Sequence, residues 1–520
     1  MRQPGSRAWW AAALACAMAA PAAAQPAANE QPTATAPVPD EPPAFELREA
    51  PERQLTGLEA LKPQPGGLTA DQVATRTLAS SPTLVARQAE IEAAKAKVDA
   101  AVANFLPRLT LTAMYRRVSP VDAALGGAIV GAANAGPIVV GPCPDPALGA
   151  SCALDSAGLP IAAAEFEFPS LVNHYSLNAQ LALPLSDYVL RLSNTMAATR
   201  ANQRATQLQK QAETAKVASD ARLAYYNWLR TVAGLSVAQS SLQRFEAMLK
   251  DARTAFELGA VTKADVLRLE AAVASTQLAI TETDTLRQLA EEQLAALMGE
   301  PVQPYRVGET VAVDPVRIPS AGKLSDLVAG AYERRLELKA LAAATRSLRA
   351  AARAAEVSQW PRLDAFGDVT HANPNLSIFP QVQEWNTTWA VGLSLSWTVN
   401  DAFSGRATAA ELEAMRRKLE ADRQNLERGI KLEVTSSYLD LKKARTAIET
   451  ATRSSAAARE AYRVARDLYR VGRATTTDLM VAESELVAAS LKEVNAALDY
   501  QAARVRLAHA TGSDVSPAAG

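Results

Sequence analysis

The side chains that could carry chemistry are few and far apart. His174, His371 and His509 show no ligand spacing, so the histidines predict no metal site. No glycine-rich phosphate loop sits between a strand and a helix, and no nucleophile elbow appears. The carboxylates that stand out are Asp265 and Asp478. Each follows a threonine by three residues (Thr262, Thr475) and a glycine by six (Gly259, Gly472). A threonine and a carboxylate at that spacing fit a capping box that starts a helix. The glycine before them can take the left-handed conformation that ends the preceding helix. Both segments are therefore expected to be the tips of helical hairpins.

Composition agrees. The 520 residues carry 54 Lys+Arg against 55 Asp+Glu, which gives no reason to expect a nucleic-acid partner or an acidic substrate. Hydrophobic residues make up 48%, but aromatics only 5%, and alanine dominates the apolar share. Long stretches of Ala, Leu, Glu, Arg, Lys and Gln with 24 glycines point to long helices. Three cysteines and three histidines supply little redox or metal chemistry, and no cofactor is implied.

Residues 1–24 have the pattern of a secretory signal: a basic start at Arg2 and Arg7, an apolar run from Ala8, and Ala22-Ala23-Ala24 before Gln25. Leu14-Ala15-Cys16 faintly resembles a lipoprotein site. Ala13 stands where a bulky residue is expected, so a lipid anchor at Cys16 is not the favoured reading. Residues 25–67, rich in Pro and Ala, predict a flexible lead-in. Past the signal, no apolar stretch is long enough for a transmembrane helix, so any membrane passage must be a β-barrel. Cys143 and Cys152 have eight residues between them in a Gly/Pro/Ala-rich segment. A disulfide is favoured there over a metal pair, which lacks nearby histidines.

The chain repeats itself. Ala252-Arg253, Phe256, Gly259, Asp265, Glu270 and Gly299 recur 213 positions later as Ala465-Arg466, Tyr469, Gly472, Asp478, Glu483 and Gly512. Pro107-Arg108-Leu109 recurs 254 positions later as Pro361-Arg362-Leu363. The 41-residue difference between those offsets falls around the two cysteines and predicts a longer loop in the first copy. Each copy is read as helix, strand, loop, strand, long helix, turn, long helix. The first spans 68–299, with strands at about 107–118 and 173–186 and a helical hairpin at about 187–298. A connecting segment covers 300–322. The second copy spans 323–512, with strands at about 361–371 and 387–399 and a hairpin at about 402–511; a tail follows at 513–520. Leu242, Phe245, Leu249, Ala252 and Phe256 step by three and four, as do Ala458, Tyr462, Ala465 and Tyr469, a coiled-coil-like seam. An uninterrupted helix from Asp187 to Leu258 would be on the order of 100 Å long. Tyr225 and Tyr438 recur in register and are read as packing residues.

The strands alternate. Trp389, Val391, Leu393, Leu395 and Trp397 oppose Ala390, Gly392, Ser394 and Ser396; Tyr175, Leu177 and Leu181 oppose Ser176, Asn178 and Gln180; Leu109, Leu111 and Tyr115 oppose Thr110, Thr112 and Arg116. A soluble half-buried sheet is possible. The membrane reading is favoured by Trp389 and Trp397, about 26 Å apart along a strand, which with Tyr115 and Tyr175 suit interfacial aromatic girdles. Four strands cannot close a barrel around a channel, so the chain is expected to share one with other copies.

With the two tips Leu258-Gly259-Ala260-Val261-Thr262-Lys263-Ala264-Asp265 and Val471-Gly472-Arg473-Ala474-Thr475-Thr476-Thr477-Asp478, the Pro-Arg-Leu strand starts and the repeat, the sequence resembles the TolC family of outer-membrane efflux proteins from about Leu68 to Gly512. The resemblance implies a homotrimer, with a 12-stranded barrel in outer-membrane lipid and a hollow α-helical cylinder through the periplasm. It implies an exit duct, catalysing nothing, joined by a periplasmic adaptor protein to an inner-membrane transporter of the RND or ABC kind. The tips would be the periplasmic mouth, with the adaptor's hairpin in the grooves between them. Asp478 would stand in an acidic constriction, as well as serving as a cap. The best-known members carry a second acidic residue three places on, where this chain has Val481. Arg473 and Arg466 become candidate tethers of a closed mouth, and Asp265 is read mainly as a cap. Drug efflux with an RND pump is the preferred use; type I secretion, heavy-metal efflux and, in a different class, a secreted coiled-coil scaffold are the alternatives.

Overall fold

The computed structural model describes residues 58–120, 129–130, 137–161, 163–164, 171–311, 322–379 and 381–514. In chain order the main elements of the first half are α1 (Ala70–Ser80), α2 (Pro82–Ala103), β1 (Arg108–Arg117), β2 (Asn173–Leu183), α3 (Ser193–Glu257) and α4 (Lys263–Met298). The second half repeats them as α5 (Leu324–Arg334), α6 (Leu336–Glu356), β3 (Arg362–Asn373), β4 (Asn386–Ser396), α7 (Val399–Arg470) and α8 (Thr476–Ala510).

Two helices, not one, precede the first strand of each half. In the first half Ser81 is extended and Pro82 takes the first helical position, where its missing N–H costs nothing. The second half breaks at Arg335 without a proline. There the buried guanidinium bonds Glu337, Glu433 and the carbonyls of His509 and Ala510, so the break seats a side chain that pins α6, α7 and the end of α8 together.

The four strands form one antiparallel sheet in the order β1-β2-β3-β4. β2 stops at Leu183, short of the expected 186, because Pro184 cannot donate to a ladder. β4 stops at Ser396 because α7 begins at Val399. In the β1–β2 loop, Val139–Gly141 pairs with Cys152–Leu154, and Cys143 and Cys152 form a disulfide. Gly126 and Gly127, read as part of that loop, lie outside the described residues.

α3 and α7 have 65 and 72 residues, about 100 Å of helix each. α3 packs against α4, α7 against α8, and α8 against α3, which joins the two hairpins side by side. One core cluster gathers Trp228, Tyr225 and Leu229 of α3 with Leu294 of α4, Val73 of α1 and Val307. Tyr225 is fully buried and donates its hydroxyl to Leu68 O, whereas its counterpart Tyr438 is only half-buried.

The signal at 1–24, Cys16 and most of the lead-in lie outside the described residues. The last part of that lead-in is a correction to the sequence reading. Leu61 is buried, Gln64 N–H bonds Val307 O, and Leu68 N–H bonds Arg306 O. Backbone pairing with the connecting segment holds residues 58–68, a contact that hydrophobic periodicity does not encode. Gly67 permits it, since a Cβ there would stand 2.2 Å from Val307 O.

Candidate functional site

Two surfaces carry the functional argument: the sheet and the pair of hairpin tips. Strand register sets the sheet's faces. Leu111, Ala179, Val369 and Trp389 lie in one row across the four strands, and Leu109, Leu181, Gly367 and Val391 in another. This face is bare: Trp389 is 72% exposed and Val391 73%. Rows on the opposite face are polar, such as Thr112, Asn178, Thr370 and Thr388, where Asn178 Nδ2 donates to Thr370 Oγ1 at 2.8 Å. A sheet apolar outside and polar inside has the pattern of a membrane barrel wall. Among the described residues β1 and β4 each pair on one side only, leaving both edges of the wall open.

At the end of the sheet away from the helices, Tyr115 and Tyr175 touch at 5.0 Å between ring centroids. Tyr175 meets Trp385 at 6.2 Å, and Trp385 stacks on His371 at 4.8 Å. The sequence reading missed Trp385, which precedes β4 and so falls outside the alternation. Trp389 lies farther along β4, toward the helices. At the helical end Trp397 follows the last residue of β4. Trp360, ahead of β3, is also exposed and was likewise missed. No described helix is long and apolar enough to cross a membrane.

The tips are built alike. Gly259 (φ 76°) and Gly472 (φ 71°) take the left-handed conformation. Gly259 N–H bonds Phe256 O and Ala260 N–H bonds Ala255 O; Gly472 N–H bonds Tyr469 O and Arg473 N–H bonds Leu468 O. This double bond pattern closes each descending helix. The returning helices start with the capping boxes expected from sequence. Thr262 Oγ1 accepts from Asp265 N–H at 3.3 Å while Asp265 Oδ2 accepts from Thr262 N–H at 3.1 Å. The second tip repeats this with Thr475 and Asp478 at 3.2 and 2.9 Å. Hydrogen bonds from the Thr475 backbone and hydroxyl hold the Asp478 carboxyl below its usual range; the Thr262 hydroxyl does the same first for Asp265. Val261 is half-buried and Ala260 exposed; Thr476 is buried while Ala474 is half-buried.

Behind the tips, Phe245, Leu249 and Ala252 of α3 pack with Leu269 of α4, Tyr462 of α7 and Leu479 of α8. Across this cluster runs an ion pair that the sequence did not reveal. Arg244 Nε donates to both Glu483 oxygens at 2.8 and 2.7 Å, and Ser241 Oγ adds a bond at 3.0 Å. Glu483 is the repeat counterpart of Glu270, yet Glu270 pairs inside its own hairpin with Arg253. Arg466, the counterpart of Arg253, lies 3.9 Å from Asp467, and Arg473 is exposed at the tip. His509 bonds Asp514 at 2.9 Å, far from His371 in the sheet. No cluster of metal-ligating side chains occurs among the described residues.

The family model described as "Outer membrane efflux protein" matches residues 73–300 and 327–513, one block for each half of the repeat. The chain belongs to the outer membrane efflux protein family. It is an outer-membrane channel of the TolC type with a periplasmic helical domain, and such channels are conduits, not enzymes. The fold is shared with solved channels at low identity. The Campylobacter jejuni CmeC outer membrane channel is 15% identical, with a TM-score of 0.66 over 92% of this chain and 96% of that one. VceC of Vibrio cholerae is 16% identical, with a TM-score of 0.65 over 85% and 96%. The open state of the Neisseria gonorrhoeae MtrE channel is 16% identical, with a TM-score of 0.64 over 92% and 97%. No protein of curated function matches the chain.

Proposed function

We propose that three copies of this outer membrane efflux protein close one barrel and one helical cylinder. The assembly is the exit duct of a tripartite pump that passes drugs and other small toxic compounds outward. The observation that carries this reading is the four-stranded wall, bare and apolar on one face, polar on the other, open at both edges and continuous with two helical hairpins. Three such walls supply twelve strands, an even number within the range of bacterial barrels, and their closure removes the open edges from lipid. The tips form the periplasmic mouth. The grooves between them take the hairpin of a periplasmic adaptor, which links the duct to an inner-membrane pump of the RND kind. Asp478 serves as a helix cap and, in three copies, as an acidic ring that favours cations. Arg473 and Arg466 hold the mouth narrow, and Tyr115, Tyr175, Trp389 and Trp397 sit at the membrane interfaces.

Deleting the chain and measuring susceptibility tests the cargo. Heightened sensitivity to several unrelated drugs, with normal export of secreted polypeptides and unchanged metal tolerance, is the expected result. Loss of one exported polypeptide alone, or of metal tolerance alone, would overturn drug efflux in favour of type I secretion or metal efflux.

A further inference from the structure

The apolar face of the sheet ends in a cation. Side chains two apart on a strand share a face, so Leu109, Leu111, Ala113, Tyr115 and Arg117 of β1 lie on one side. Following the register across all four strands, Arg117 is the only Lys, Arg, Asp or Glu on that face. The polar face, by contrast, carries Arg108, Arg116, Arg362, Asp364 and Asp368. Arg117 is exposed and, among the described residues, makes no hydrogen bond and no ion pair. Glu384, which precedes Trp385, is exposed as well, and no ion pair joins the two. The fold therefore neither holds this guanidinium nor needs it.

Its surroundings are donors. Asn173 lies directly opposite Arg117 in the β1–β2 ladder. One row below, Tyr115 donates its hydroxyl to Asn173 Oδ1 at 3.1 Å, and the Tyr115 ring rests on Tyr175. That bond occupies the amide oxygen and leaves the Asn173 Nδ2 hydrogens without a partner among the described residues. A guanidinium facing an amide NH2 makes a donor-only cradle, which suits a phosphate.

The place decides which phosphate. The helical domain is periplasmic, so the end of the sheet away from the helices is the outer end. Arg117 stands there one row, about 7 Å, beyond Tyr115 and Tyr175, while the apolar rows run the other way. An arginine at the rim of an apolar band reaches for the headgroups. The outer leaflet of an outer membrane is a glycolipid with phosphates on its sugar headgroup. We propose that Arg117 and Asn173 bind the headgroup phosphate of an outer-leaflet glycolipid. The inference rests on the reading of Tyr115 and Tyr175 as interfacial residues.

Native mass spectrometry of the detergent-purified full chain, incubated with lipid A, tests it. Lipid A with two phosphates should be retained about tenfold or more over its dephosphorylated form. Arg117→Gln should remove most of that preference, Arg117→Lys should keep part of it, and Asn173→Ala should weaken it less than Arg117→Gln does. Lys418→Gln, at an exposed cation of α7, should leave it unchanged. Equal retention of the two lipids, or an undiminished preference in Arg117→Gln, would overturn the site. So would displacement by inorganic phosphate but not by chloride at equal ionic strength, which marks a general anion site. A preference that emerges only after Glu384→Gln would also overturn it, since the guanidinium would then be paired already. Quenching of tryptophan fluorescence by lipids with brominated chains keeps the two readings apart. Quenching without a phosphate preference sinks the arginine site alone, whereas folded, reconstituted protein that shows no quenching removes the interfacial reading beneath it.

Discussion

Replacing Arg244 by Met takes the cation out of the pair that ties the first hairpin to the second. Glu483 is fully buried, and loss of Arg244 leaves it the hydrogen bond from the Ser241 hydroxyl. Removing one member of a buried pair costs about 3–5 kcal/mol, because a charge is left without its counterion. The Arg244 side chain is 21% exposed, so water reaches that end of the pair, and the loss belongs at the lower limit, about 3 kcal/mol. Burial already pushes the Glu483 carboxyl up, and Arg244 opposes that push. In the variant the carboxyl rises further. The defect is then full above the raised pKa and relieved as pH falls through it, where the neutral acid forms. Hydrogen exchange of the detergent-solubilised protein reads the effect locally. Amides of residues 479–486 on α8 should exchange roughly a hundredfold faster at pH 8 than in the wild type, and less so at pH 5. Arg244→Met with Glu483→Leu should recover most of the protection, since an apolar pair leaves no buried charge. Exchange within twofold of the wild type in the single variant, or a double variant as loose as the single, would refute the assignment of the clamp.

Thr475→Ala removes the α8 cap and should cost about 1 kcal/mol, seen as faster exchange confined to the first turn of α8; Thr262→Ala should do the same for α4. The Asp514 bond raises His509 above its ordinary 6.5. Its stabilisation is therefore complete below that value and lost as pH rises through the raised one. Exchange at residues 512–514, corrected for intrinsic rate, should be faster at pH 9 than at pH 6, and His509→Gln should abolish the difference. Gly67→Ala places a methyl 2.2 Å from Val307 O. It should lower the thermal midpoint by the equivalent of about 1–3 kcal/mol and open residues 58–68 to protease; an unchanged midpoint would count against the clasp.

The parts legible in the sequence are those written in local spacing. Thr475-x-x-Asp478 after Gly472 encodes its own turn, and the same spacing at Thr262 confirms it through the repeat. Alternation at 389–396 encodes a two-faced strand, and register then extends that face to Leu111 and Leu181. The parts that escaped depend on residues brought together over long separations. Arg244 and Glu483 are 239 positions apart and belong to different halves; the repeat counterpart of Arg244 is Ala457, and that of Glu483, Glu270, pairs inside its own hairpin with Arg253. Val307 holds the chain before Leu68 by backbone hydrogen bonds, which leave no trace in side-chain pattern. Arg335 breaks a helix without Pro or Gly, because its partners come from α6, α7 and the end of α8. Trp385 joins the aromatic row through a loop, not through the strand period.

The most direct test of the account is single-channel recording of the detergent-purified protein in a planar bilayer. Discrete, long-lived, cation-preferring conductance steps are predicted, with the preference reduced by Asp478→Ala. Folded protein that inserts into the bilayer and passes no current at either polarity, in the wild type and in Asp478→Ala alike, would contradict the claim that these walls and hairpins enclose a duct.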